Sequence, residues 1–121
     1  MPAIHLRSLP PVDGDAQIDE TLSAIGRDVA EVLGDDPDGT WCTFTRVDRM
    51  SIGERIVEHD GRIAYLDLWI RSRGEATDRA ALEAACRAAA KGLRLPIEDV
   101  WATLRHVEPG RVFAGGGVIE A

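Results

Sequence analysis

Residues 41–47, Trp41-Cys42-Thr43-Phe44-Thr45-Arg46-Val47, return sixty positions later as Trp101-Ala102-Thr103-Leu104-Arg105-His106-Val107. The tryptophan, a threonine and the valine coincide. In both copies apolar and polar side chains alternate, the period of a strand with one buried face. The same shift aligns the rest of the chain without a gap, with further identities at Leu6/Leu66, Gly14/Gly74, Ala16/Ala76, Leu22/Leu82, Ala24/Ala84, Arg27/Arg87, Ala30/Ala90 and Leu33/Leu93. These eleven identities exceed the roughly five that composition gives by chance. The chain therefore reads as two copies of one unit, about 2–60 and 62–121, in a single domain.

Each copy predicts a strand, a helix and a strand. Residues 2–8 and 62–71 have strand character, as do 40–48 and 99–107. Between them, Ile18, Leu22, Ile25, Val29 and Leu33 recur at helical spacing, with Asp15 placed to cap and Gly34 to stop the helix. The second helix is expected from Thr77, as N-cap, through Leu82, Ala85 and Ala89 to Gly92 or Leu93. A strand–helix–strand crossover is right-handed with parallel strands. Asp60-Gly61 reads as a tight hairpin between Ile56-Val57 and Ile63-Ala64, with His59 beside it. The fold class that follows is α+β: two tandem βαβ units forming a four-stranded mixed sheet with both helices on one face. The bare face and open edges then call for pairing between chains.

Composition narrows the partners. The 121 residues are 45% apolar, enough to bury a core, and the net charge is −7 with no basic run. Nucleic acid and anionic membrane surfaces are poor partners for such a chain. No apolar run approaches membrane-spanning length, and no apolar stretch precedes the Leu9-Pro10-Pro11 break to act as a signal. Cys42 and Cys86 lack redox-pair or metal spacing, and no histidine pair has ligand spacing. A cytoplasmic protein with reduced thiols and no histidine metal site is the expectation.

Pro2 follows the initiator methionine, a position from which the methionine is removable. The mature chain would then begin with a secondary amine. Burial or a nearby cation lowers an amine's pKa, so this group could serve as a general base near neutrality.

The Met-Pro-x-Ile start, two fused βαβ units of about sixty residues and a glycine-rich tail resemble the tautomerase superfamily. Val100–Val107 followed by Pro109-Gly110-Arg111-Val112-Phe113-Ala114-Gly115-Gly116 looks like the second strand and glycine-rich hairpin of 4-oxalocrotonate tautomerase. Leu93–Trp101 is similar to the corresponding region of macrophage migration inhibitory factor. The layout also resembles malonate semialdehyde decarboxylase and cis-3-chloroacrylic acid dehalogenase. The resemblance implies a cofactor-independent isomerase, a homotrimer with sites at subunit boundaries, and Pro2 as general base on a small anionic carbonyl substrate. The internal half, beginning at Arg62, has no free amine, so one site per chain is implied.

It also implies site residues. Arg71 and Arg73, closing the strand before the second helix, match places where relatives carry substrate-binding arginines, and Arg73 matches the better by its spacing to Thr77. A guanidinium fork suits a carboxylate, whereas the bland alternative is two solvated surface residues. Trp101 and Thr103 fall where migration inhibitory factor has a pocket wall and its polar neighbour. Trp41, the repeat mate of Trp101, reads as core packing. Asp38 falls near an acidic residue of the decarboxylase branch, though its turn sequence Asp35-Asp36-Pro37-Asp38-Gly39 is the preferred explanation, by turn chemistry. His5 could tune Pro2 or merely satisfy a local hydrogen bond. Arg46 and His106 read as surface or interface groups. Dehalogenation is disfavoured, because no carboxylate lies between Arg111 and Gly117 to activate water. Decarboxylation, hydration and a non-catalytic trimeric binding protein are the alternatives.

Overall fold

Alternation along Ile4, Leu6 and Ser8, and along Leu66, Leu68 and Ile70, places every second side chain on one sheet face, where all six are buried. The computed structural model describes residues 2–11, 13–58 and 62–120. Its strands are β1 (Ala3–Ser8), β2 (Trp41–Arg46), β3 (Ser51–Ile52), β4 (Arg55–Ile56), β5 (Ala64–Ile70), β6 (Val100–His106), β7 (Phe113–Ala114) and β8 (Gly117–Val118). The helices are α1 (Asp15–Leu33) and α2 (Glu75–Leu93). The main sheet runs β2-β1-β5-β6, with parallel outer pairs and an antiparallel centre. This is the four-stranded mixed sheet expected from the repeat. Short 3-10 turns at Pro37–Gly39 and Ile97–Asp99 lead into β2 and β6. Among the described residues, no helix is long and apolar enough to cross a membrane.

Both helices cover the same face. Ile25, Val29 and Leu33 of α1 and Ala81, Ala85, Ala89 and Leu93 of α2 close over Ile4, Leu6, Leu66, Leu68 and Ile70. Each fully buried leucine or isoleucine contributes roughly 1.5–3 kcal/mol. The alanine-rich face of α2 brings the helices close. A Cβ at Gly92 would lie 2.2 Å from Thr21 Oγ1 on α1, so only glycine fits there.

Several local details depart from the sequence reading. Gly14 and Gly74, not Asp15 and Thr77, occupy the N-cap positions. Asp15 and Glu75 are instead the first helical residues, where a carboxylate complements the helix dipole. The second helix ends at Leu93, one of its two expected ends, with Arg94 following in the left-handed region at φ 57. The turn signal His59-Asp60-Gly61 lies outside the described residues. Its supposed flanks pair elsewhere: Ile56 pairs back with Ser51, and Ala64 pairs with Val100. Each unit in fact ends in a short hairpin, β3–β4 or β7–β8. The second turns through Gly115 and Gly116, at φ 63 and 88, which makes the glycine run a tight turn.

The repeat also slips. Ala3 pairs with Trp41 and Tyr65 with Trp101, so when the tryptophans are mates the first strands are offset by 62 residues. The difference lies in the strand-to-helix connection, residues 9–14 in the first unit and 71–74 in the second. The structural counterpart of Pro2 is therefore Ala64, not Arg62. The local twofold axis passes between His5 and Asp67, which face one another in the central pair.

Candidate active site

Proline has no N–H for a ladder, and Pro2 accordingly sits just before β1, where it is buried among the helix-facing side chains. Its carbonyl accepts a 3.0 Å hydrogen bond from Trp41 N–H. On the other side Ala3 pairs with Trp69, so one further step of the register sets Pro2 across from Ile70, with Arg71 next. At this edge of the sheet α1 ends and α2 begins. The connection 71–74 is thus brought beside the chain's first residues by an antiparallel pairing about sixty residues apart in sequence.

The two arginines in that connection have different roles. Arg73 donates to the carbonyl of Leu33, the last residue of α1, and its Nη2 donates at 2.9 Å to Asp35 Oδ2. Its guanidinium is therefore engaged in closing a helix end. Arg71 is exposed and, among the described residues, makes no ion pair or side-chain hydrogen bond. It lines a cavity of about 40 Å³ with Val107, Pro109 and Ile119. The sequence match favoured Arg73 as the substrate cation; the geometry leaves Arg71 as the free one.

Asp78 is the residue that sequence reasoning missed. It is buried in the first turns of α2, and its carboxylate accepts from Ser72 Oγ at 2.7 Å and from Arg73 N–H at 3.0 Å. His106 Nε2, at the end of β6, lies 3.0 Å from Asp78 Oδ2. The Arg73 backbone N–H holds the carboxyl below the usual carboxylate range, assisted by Ser72 and His106, while burial works against them. The signal was present in the repeat, because its mate at the same helical position is Ile18.

The remaining candidates do not join Pro2 within one protomer. Trp101 and Thr103 lie on the bare face of the sheet, opposite to Pro2. Thr103 Oγ1 donates at 2.7 Å to Asp67, and Trp101 meets Tyr65 edge-on with ring centroids 6.1 Å apart. His5 is on that face too, its Nε2 2.7 Å from Thr45 Oγ1. Asp38 is exposed in the turn before β2 and lines a separate groove of about 380 Å³ with Arg27, Thr40 and Cys42. Burial pushes the Cys42 thiol up to about 11, so it stays protonated at neutral pH. Trp41 is not a core residue: it is 62% exposed, on the same bare face as Trp69 and Trp101. A tryptophan in a half-apolar strand reads as buried unless the layers are known, and here the helices cover the other face. Arg46 pairs with Asp15 at the start of α1. Among the described residues no cluster of His, Cys, Asp and Glu has the makings of a metal site.

No family model matches the sequence, and no curated protein matches it significantly. Solved structures match its fold over nearly the whole length. Pt0534 inactivated by 2-oxo-3-pentynoate superposes with a TM-score of 0.84 at 11% identity, covering 97% of this chain and 94% of that one. A fused 4-OT symmetric trimer gives 0.82 at 17% identity over 97% and 94%. Macrophage migration inhibitory factor from Toxoplasma gondii gives 0.75 at 19% identity over 97% and 99%. The chain shares the fold of Pt0534, fused 4-OT and macrophage migration inhibitory factor over nearly its whole length, its two-unit layout included.

Proposed function

We propose that this protein is a cofactor-independent tautomerase whose base is the amine of Pro2, freed by removal of Met1. The observation that carries the reading is the register of β1 against β5: one step beyond Ala3–Trp69 it sets the buried Pro2 across from Ile70, the residue before Arg71, whose guanidinium has no ion pair among the described residues. Burial and a neighbouring cation both favour the neutral amine. Arg71 would take the carboxylate of a small enol or keto acid, and Pro2 would carry a proton from the enol oxygen to carbon as the ketone forms. The reaction neither gains nor loses atoms. The shared fold with fused 4-OT and migration inhibitory factor supports this class of chemistry.

The bare sheet face supports assembly. Trp41, Trp69 and Trp101 are exposed together on it, and Phe113 stands out on the C-terminal hairpin. Apolar surface of this kind marks an interface, and fused 4-OT, similar in fold, is a trimer in two of the matching structures. In a homotrimer Trp101 and Thr103 would reach a neighbour's Pro2 rather than their own. Asp38 lines a different groove, so within one protomer the decarboxylase alternative rests on Arg71 and Arg73.

The test has two stages. Intact mass of the purified protein reports whether Met1 is gone, and retention sinks the catalytic account. Ketonisation of phenylenolpyruvate or 2-hydroxymuconate is then compared for wild type and Pro2→Ala. A loss of about 10²–10⁴-fold is expected for a general base. Equal rates would leave a trimeric binding protein.

A further inference from the structure

Asp78 breaks the repeat at a telling place. Ile18 and Asp78 hold the same position in the two helices, and each is only 6% exposed. A carboxylate in an apolar slot is costly unless its hydrogen bonds are made. Asp78 makes three, and two come from the pair of residues directly after Arg71: Ser72 through its hydroxyl and Arg73 through its backbone N–H. The third ties the carboxylate to His106 on β6. One residue on, Val107 N–H donates at 2.8 Å to Ile70 O, just before Arg71.

The segment Ile70–Arg73 is therefore fixed at every residue but one. Ile70 is held by β6, Ser72 and Arg73 by Asp78, and the Arg73 side chain by Leu33 and Asp35. Among the described residues, Arg71 is the one member of this segment whose polar side chain has no partner, carried on a backbone bound on both sides. In the first unit, where Ile18 stands in place of Asp78, the connection is two residues longer and leads to no cation.

We propose that Asp78 is the positioning residue of the anion site, fixing the 71–73 backbone so that Arg71 meets a substrate carboxylate at the Pro2 edge. The proposal deepens the tautomerase reading and rests on it for the identity of the ligand. Asp78 itself touches no substrate. Its effect passes through Ser72, the Arg73 backbone and then Arg71.

The experiment separates this claim from the catalytic one. The protein is labelled with nitrogen-15, and the side-chain Nε–H signal of Arg71, assigned by its loss in Arg71→Ala, is followed as pyruvate is added. Wild type and Pro2→Ala should both show a saturable shift of this signal, whether or not Pro2 proves catalytic. In Asp78→Ala the apparent Kd should rise by on the order of tenfold, the scale of loss from a displaced binding group. Ser72→Ala, which removes one contact and leaves the carboxylate, should give a smaller rise and covers the case in which Asp78→Ala fails to fold. In turnover, Asp78→Ala should raise KM with kcat little changed, and the rise should vanish in an Arg71→Ala background. An Arg71 signal indifferent to pyruvate in wild type overturns the proposal. So does an unchanged Kd in both variants, or a KM rise that persists without Arg71.

Discussion

Arg73 closes the end of α1 by donating to the carbonyl of Leu33, and Arg62 does the same for Leu93 at the end of α2. Leu33 and Leu93 are repeat mates, while the arginines flank β5 on either side. The last turn of each helix is thus held by a cation, which also complements the negative end of the dipole.

Arg73→Ala should consequently behave as a stability variant. Charged hydrogen bonds contribute about 1.5–3 kcal/mol each, and the 29% exposure of this side chain lowers that. A net loss of roughly 1–2 kcal/mol is expected in urea unfolding. Arg71→Ala should leave the urea midpoint in place and raise KM for carboxylate substrates. Had Arg73 been the substrate cation, the KM rise would follow Arg73→Ala and not Arg71→Ala.

Acid unfolding should carry the imprint of Asp78. Its folded pKa lies below the ordinary 3.8, so the stabilisation it contributes is present above that value and is lost as pH falls through the folded pKa. Asp78→Asn should flatten the decline in unfolding free energy between about pH 5 and the acid limit. Urea titrations at stepped pH would measure it, and a decline as steep as that of wild type would count against the carboxylate.

Gly92→Ala should destabilise the fold although alanine is the better helix former by about 1 kcal/mol. The added methyl would meet Thr21 at 2.2 Å from Oγ1 and 2.8 Å from Cβ, inside the contact between helices. Overpacking of this kind costs typically about 1–3 kcal/mol, enough to reverse the propensity gain. Thermal and chemical unfolding of the variant would show the sign directly.

Sites shared between protomers should complement. Pro2→Ala and Trp101→Ala, each assayed alone, are expected to be impaired in ketonisation. Unfolded together and reassembled, they should regain a measurable part of wild-type activity, because some boundaries would pair an intact Pro2 with an intact Trp101. No recovery in mixed assemblies confirmed by mass would place Trp101 outside the site.

The architecture was legible because pleat and helix periods are local properties. Ile4, Leu6, Leu66 and Leu68 announce a buried strand face whatever lies above it, and the repeat then supplies the topology. The two-residue slip of the first strand stayed hidden for the same reason. A shift of two preserves the pleat, so Leu6 aligned with Leu66 looks as sound as Leu6 with its true mate Leu68. The arginines were legible as a pair and illegible as individuals. What separates them is whether a helix carbonyl and an aspartate lie within reach, and Leu33 and Asp35 are some forty residues from Arg73 in sequence. Trp41 failed similarly, since alternation gives two faces without saying which one the helices cover.

The slip has a consequence at the opposite edge of the sheet. With first strands offset by 62, the mate of Arg71 is Leu9, and Leu9 packs with Met50 and Val57 in a small apolar cluster of its own. The duplicated chain therefore places a cation, Arg71, at one edge and an apolar residue, Leu9, at the matching place on the other. Cutting the chain ahead of Ala64 and installing a proline there would supply a second amine, but it would emerge beside that apolar cluster, with Leu9 at the place that Arg71 holds in the second unit.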